Sequence, residues 1–283
     1  MANVWDAMKK HQAEQAAARP PETPASAEAA STAAEAAPAA ASSGAAPSVP
    51  ATALSSIAAT VNGYAPELLT HHERGGAIAE DFRGLRTSLL AQYPDERFCI
   101  LVTSAEKGEG KTVACLNLAL VLAERQERRT LVVDCDLRAR RVARLMRTPN
   151  APGIVELLRG TAGVKDVVRK TAYPNLFLIP AGEADKTKIG ELLHRPELEE
   201  VLTTLRRDYD YVLFDTPPVG VAPDACMLGR AVSDALIVVR MYRTRRETVD
   251  SAIRLLHAAN IKTTGVVLTH RRYYIPSVLY YNT

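Results

Sequence analysis

The chain has 283 residues, and its 35 Lys plus Arg against 32 Asp plus Glu leave a formal net charge of +3, a balance that does not call for nucleic acid as a partner. No apolar run approaches the roughly 18 residues of a membrane-crossing helix, and the amino terminus MANVWDAMKK lacks the apolar core of a secretory leader, so the cytosol is the expected location. Cys99, Cys115, Cys135 and Cys226 stand far apart in apolar stretches without metal-binding spacing, which predicts buried, reduced thiols.

Val4, Trp5 and Met8 fall at helical spacing near the start, as a docking peptide or an inert end. Residues 11–60 hold 21 alanines and 6 prolines with almost no large apolar side chains, too little to offset the entropy of ordering, and read as a proline-stiffened tether. The expected division is a flexible segment over 1–74, one domain over 75–270 and a tail over 271–283. Within the domain, helical patterns cover Ile78 to Leu90, Thr112 to Glu124, Arg141 to Met146, Ile154 to Leu158, Pro196 to Arg207 and Arg246 to Ala258. Strand-like runs cover Phe98 to Val102, Thr130 to Val133, Leu176 to Ile179, Tyr211 to Phe214, Ala235 to Val239 and Thr264 to Leu268. Near-continuous apolar strands alternating with helices predict an α/β domain whose mostly parallel sheet carries helices on both faces. Ligands then gather at the carboxyl ends of the strands.

Three motifs stand at such ends. SAEKGEGKT joins the first strand to a helix, as in a P-loop NTPase. Gly108 and Gly110 let the backbone of Gly108, Glu109 and Gly110 curl around phosphate oxygens, with the helix N-terminus at Lys111, Thr112 and Val113 adding partial positive charge. Lys111 is placed to reach the β- and γ-phosphates and Thr112 to ligate magnesium. Ala105 occupies the place where the usual pattern begins with glycine. LVVDCDLR sets Asp134 and Asp136 at another strand end, two apart and so expected on one face, with Arg138 two further on. YVLFDTPP ends a third strand on Asp215, the usual second anchor for magnesium, with Pro217 and Pro218 stiffening the exit. ATP and Mg2+ are the expected ligands.

SAEKGEGKT, LVVDCDLR and VLFDTPP together resemble the Walker A, A′ and B motifs of the bacterial tyrosine autokinases of capsule and exopolysaccharide synthesis. The resemblance runs over about residues 75–272, taking in GIVELLRG, the ELL at Glu191 and IKTTGVVL. It implies a P-loop fold and transfer of the ATP γ-phosphoryl to tyrosine. By position, Lys111 and Thr112 serve phosphate and metal, Asp134 is the candidate base and metal partner, Asp136 and Asp215 complete the magnesium shell, and Arg138 belongs to the nucleotide site. The related partition and division-site ATPases carry a lysine five positions before the P-loop lysine; here that place is Glu106, and Lys107 is out of register by one.

Glu80, Arg83 and Arg86 form ExxRxxR, which is similar to the family's oligomerisation motif and otherwise reads as a solvated i, i+3 ion-pair row. Arg138, Arg140, Arg141, Arg144 and Arg147 make one basic run and Arg243, Arg245 and Arg246 another. Tyr273, Tyr274, Tyr280 and Tyr281 are four of the ten tyrosines and fall within the last eleven residues, where the resemblance implies autophosphorylation. It further implies a homo-oligomer recruited to the inner face of the plasma membrane by a separate transmembrane polysaccharide co-polymerase. The alternatives are a positioning ATPase that transfers phosphate to water, and a scaffold that binds ATP without transfer.

Overall fold

The β-rich runs of the sequence become one sheet, seen in a computed structural model that describes residues 63–271 apart from 96, 186 and 196. Its strands are β1 (Phe98–Ser104), β2 (Thr130–Asp134), β3 (Arg169–Lys170), β4 (Leu176–Ile179), β5 (Tyr211–Asp215), β6 (Asp234–Arg240) and β7 (Lys262–Thr269), in the order β3-β4-β2-β5-β1-β6-β7. Every neighbouring pair is parallel except β3 with β4. The expected P-loop-type sheet is present. Sequence periodicity passed over β3, whose two residues are too short to carry a pattern.

The helices are α1 (Leu69–His72), α2 (Ala77–Leu90), α3 (Lys111–Leu122), α4 (Arg141–Leu145), α5 (Ile154–Leu158), α6 (Val164–Val167), α7 (Ile189–Leu193), α8 (Glu197–Asp208), α9 (Asp224–Val232) and α10 (Arg246–Ala258). They cover both faces. Ile100 and Val102 of β1 point into a layer with Ala114, Leu118 and Leu122 of α3, while Leu101 between them points into the opposite layer with Leu198, Leu202 and Leu205 of α8 and Leu228 of α9. A strand buried on both sides needs apolar residues at every position, which is why β1, β2 and β5 read as continuous runs. Helix α3 is buried almost all round for the same reason, being packed between the sheet, α1 and α2.

The packed structure begins earlier than the sequence suggests. Tyr64 and Leu68 are buried at 2 % and 0 % exposure, and Thr70 donates its N–H and hydroxyl to Asn117 Oδ1 in the middle of α3 at 2.9 and 2.8 Å. The expected boundary at 74/75 therefore cuts through a strap that belongs to the domain. The residues before 63 and the tail tyrosines Tyr273, Tyr274, Tyr280 and Tyr281 lie outside the described residues. Among the described residues no helix is long and apolar enough to cross a membrane.

Because β1, β2, β5, β6 and β7 are parallel, their carboxyl ends share one edge. Asp215 at the end of β5 is the register partner of Asp134 on one side and of Val102 on the other. The three motifs meet there.

Candidate active site

The P-loop takes its shape from two glycines. Gly108 (φ +82°) and Gly110 (φ +89°) occupy the left-handed region, which a side chain disfavours, and between them they turn the chain back toward the start of α3. Ala105 keeps an ordinary φ and is buried, so the residue that departs from the usual glycine stands where no glycine is required. The first helical bond of α3 runs from Ala114 N–H to Gly110 C=O at 2.8 Å, and the N–H groups of Lys111, Thr112 and Val113 precede it without helical partners. A concave run of such donors suits anionic oxygens.

Over this loop opens a cleft of about 320 Å³, lined by Lys107 to Val113 together with Asp136, Arg138, Arg141, Arg144, Pro217 and Pro218. At its floor four side chains interlock. Lys111 Nζ donates to Asp136 Oδ2 at 2.6 Å and lies 3.7 Å from Asp215 Oδ1, while the Thr112 hydroxyl donates to Asp215 Oδ2 at 2.8 Å. All four residues are buried. Burial opposes the charge of Lys111, but Asp215 and Asp136 outweigh it and raise its pKa. Burial likewise pushes Asp215 up to about 6, against the pull of Lys111 and Thr112.

The expectation that Asp134 and Asp136 act side by side does not hold. Strand β2 ends at Asp134, so the two-residue alternation no longer applies to Asp136. Asp134 is fully buried and faces its own loop: Oδ1 accepts the Asp136 N–H at 3.1 Å and Oδ2 the Val142 N–H at 3.0 Å. Burial, with Asp215 adjacent, raises its pKa well above the usual carboxylate range. Asp136 alone of the pair lines the cleft.

Magnesium fits this floor in one respect and not in another. Among the described residues Asp215 Oδ1 is buried with no hydrogen-bond donor, beside the Thr112 hydroxyl, which is the kind of oxygen a hard cation satisfies. The full carboxylate shell of Asp134, Asp136 and Asp215 is not assembled, since no group of three such side chains among the described residues is placed to hold a metal. Mg2+ takes few protein ligands and keeps water and phosphate oxygens, so Thr112 with Asp215 is a sufficient anchor.

Arg138 is at the cleft, oriented by a residue the sequence did not single out. Its guanidinium donates to Asp224 Oδ2 at 3.0 Å and Oδ1 at 3.2 Å, and Asp224 is 1 % exposed at the start of α9. An aspartate just after Pro223 was the available signal, because that placing is typical of a helix start. Arg141 and Arg144 of the basic run join Arg138 at the cleft, whereas Arg140 turns away and donates to the Leu137 and Ala184 carbonyls. Glu67 of the strap also lines it.

Glu80, Arg83 and Arg86 are gathered elsewhere. Arg83 holds Glu124 through Nε and Nη2, Glu80 through Nη1 and the Arg74 carbonyl through Nη2. Arg86 donates to Glu124 at 2.9 Å and to the Val121 carbonyl at 2.7 Å. The row is thus a clamp between α2 and the C-terminal end of α3 within one chain. None of the four cysteines forms a disulfide; Cys99 and Cys226 are only half-buried, against expectation, whereas Cys115 and Cys135 are buried, and burial pushes the thiols of these two well up, which leaves them unreactive.

Comparison with known proteins agrees with this geometry. The model of the AAA domain family matches residues 99–247, more than half of the chain. The tyrosine-protein kinase wzc of Salmonella typhi is 32 % identical over 190 residues, covering 67 % of this chain and 26 % of the relative. The putative tyrosine-protein kinase CapB of Staphylococcus aureus is 27 % identical over 202 residues, 71 % of this chain and 88 % of the relative. The chain therefore spans about a quarter of the length of the first of these and most of the second. Among solved structures, the kinase domain of Escherichia coli tyrosine kinase ETK superposes with a TM-score of 0.67 at 27 % identity, covering 74 % of this chain and 83 % of that one.

Proposed function

The chain belongs to the AAA domain family, with bacterial tyrosine-protein kinases as its named relatives, and from that premise we propose that it is an ATP-dependent protein-tyrosine kinase acting in polysaccharide assembly or export. The observation that carries this reading is the meeting of Lys111, Thr112, Asp136 and Asp215 at one strand edge, with β7 ending against the same loop: Thr269 Oγ1 donates to the Glu109 carbonyl at 2.7 Å.

In the proposed reaction a tyrosine Oη attacks the γ-phosphorus of ATP, the bond from that phosphorus to the bridging oxygen breaks, and ADP leaves. The phenol, with an ordinary pKa near 10, passes its proton to Asp136, the carboxylate that faces the cleft. Lys111, poised between Asp136 and Asp215, turns to the phosphates as they enter and thereby frees Asp136. Arg138, steadied by Asp224, stands ready for phosphate oxygens. Magnesium held by Thr112 and Asp215 supplies neutralisation of the phosphate charge.

The acceptors in this reading are Tyr273, Tyr274, Tyr280 and Tyr281 of a second copy. Strand β7 runs parallel through β6 to β1, so the chain leaves it on the nucleotide edge. From Thr269 to Tyr280 is eleven residues, at most about 36 Å when extended. That reaches a neighbouring site, while a return to its own requires a sharp reversal. A homo-oligomer and a transmembrane polysaccharide co-polymerase as recruiting partner complete the proposal.

The decisive experiment mixes a Lys111→Met chain, intact in its tail, with an active chain lacking residues 273–283. Phosphotyrosine is expected on the tail of the Lys111→Met chain, and Lys111→Met alone is expected to lose activity by orders of magnitude while keeping its fold. Release of phosphate to water with none on protein would establish the positioning-ATPase reading instead.

A further inference from the structure

Glu109 stands between the two left-handed glycines of the P-loop, at the centre of what should be an anion cradle. A carboxylate exposed there would repel phosphate. It is instead 2 % exposed and turned into the protein, where its charge meets donors without formal charge. Oε2 accepts the Glu106 N–H at 2.6 Å; Oε1 accepts the Thr244 hydroxyl and, at 3.3 Å, the Arg240 N–H. The Glu109 carbonyl adds the bond from Thr269 Oγ1 at 2.7 Å.

These partners come from different places. Glu106 opens the loop itself, Arg240 ends β6, Thr244 lies in the turn to α10, and Thr269 ends β7. A loop with two glycines has many accessible conformations, and ordering it on phosphate costs entropy that a pre-formed set of bonds removes in advance. Glu109 closes the loop on its own start with one oxygen and fastens it to β6 with the other.

We propose that Glu109 is a positioning residue which, with Thr244 and Thr269, braces the P-loop against the ends of β6 and β7 in the conformation that presents its N–H groups to the cleft. The brace rests on reading that cleft as an ATP site. It makes nucleotide affinity depend on a hydroxyl outside the cleft, and it ties the loop to the residue from which the tyrosine-bearing tail departs.

The test uses the full chain, ATP titrated calorimetrically, steady-state kinetics, and melting temperature as the check on folding. Thr244→Val keeps the shape and removes the hydroxyl; Thr244→Ser keeps the hydroxyl. The valine variant is expected to raise Kd and KM for ATP about tenfold, the loss that one hydrogen bond to a charged group carries, with kcat at saturating ATP within about threefold. The serine variant should bind as the wild type does. In a Glu109→Ala background the valine change should add nothing. Wild-type affinity in Thr244→Val, or equal weakening by valine and serine, would overturn the brace while leaving the ATP site intact. If the wild type itself fails to bind ATP, or binds no better than Lys111→Met, the site reading falls and the brace with it.

Discussion

Helix α3 carries a cluster of opposite charges at each end, and the two clusters are built on different terms. At its N-terminus Lys111, Asp136 and Asp215 are buried, one lysine lies between two carboxylates, and Asp215 Oδ1 has no hydrogen-bond donor among the described residues. At its C-terminus Arg83, Arg86 and Glu124 have side chains that are 24 %, 19 % and 31 % exposed, and Arg83 uses each of its three nitrogens on an acceptor. Buried charge that is short of donors gains from a cation or a phosphate that completes it. Half-exposed charge that is already saturated gains little. Both ends obey the helix dipole, with donors facing the cleft at one and Arg86 on the Val121 carbonyl at the other, but only the first is a place for chemistry.

The comparison is broken most forcefully by exchanging one aspartate for asparagine at a time. Asp136→Asn removes the proposed proton acceptor and should lower kcat by about 10²- to 10⁴-fold. It also takes a counter-charge from buried Lys111 and sets an amide nitrogen against a donor, Lys111 Nζ or the Ala139 N–H, so the melting temperature should fall as well. Asp134→Asn should leave kcat nearly as it is and act on stability alone, since its amide nitrogen would face a backbone N–H that the carboxylate now accepts, at a cost of about 1–3 kcal/mol seen in thermal unfolding. Equal kinetic losses in the two variants would show that the two carboxylates act together after all.

A second measurement concerns the strap beside α3. Removing residues 1–62 should leave ATP binding and thermal unfolding nearly as they were, while removing 1–72 takes away Tyr64, Leu68 and the Thr70 bonds to Asn117. Burial of two such side chains stabilises by about 3–6 kcal/mol, which for a domain of this size corresponds to a fall on the order of 10 °C in Tm. Equal melting of the two truncations would show that the strap contributes nothing to the domain.

The strap also marks where the sequence was readable and where it was not. The strands were legible because burial on both faces demands unbroken apolar runs, and the P-loop because its two glycines meet a backbone requirement no other residue meets as well. Tyr64 and Leu68 were not, since two isolated apolar residues after an alanine- and proline-rich stretch carry no period. Helix α9 was hidden behind the proline-rich exit from β5. The division of labour between Asp134 and Asp136 turned on one residue, the end of β2, and strand boundaries are what pattern fixes least well. Glu109 was legible as a residue between two loop glycines, but the inward turn of its carboxylate depends on Thr244, which is distant in sequence.

The two ends of α3 should also answer pH with opposite signs. Burial raises Asp215 to about 6 from an unfolded value near 3.9, so in the nucleotide-free protein the folded state holds the extra proton between those values. This contribution makes the fold less stable as pH rises from about 4 to 6, by up to a few kcal/mol. Glu124 is held below its ordinary value, first by its hydrogen bond from Arg83, so its contribution is present above that value and is lost as pH falls through the lowered one. Unfolding free energy measured against pH in Asp215→Asn and Glu124→Gln separates the two. The first substitution should flatten the decline between pH 4 and 6, and the second should flatten the loss at lower pH; a shift in the same direction from both would contradict the assignments.

The smallest expected effect belongs to the clamp itself. Exposed ion pairs contribute about 0.2–1 kcal/mol each, so Arg83→Ala with Arg86→Ala should lower stability only modestly, with the Val121 carbonyl passing to water. What the double variant does to assembly is the sharper question, because the same arginines are the expected intersubunit contact. If the clamp is complete within one chain, sedimentation of an oligomeric wild type and of the variant should agree. If a partner competes for Glu124 or the guanidinium groups, the variant should shift toward monomer and lose phosphorylation in trans while a single chain's ATP affinity stays constant. Glu124→Gln decides between these, since it releases both arginines without removing them: gain of assembly would mean the clamp holds them back from a partner, and loss would mean the clamp sets the geometry in which the partner meets them.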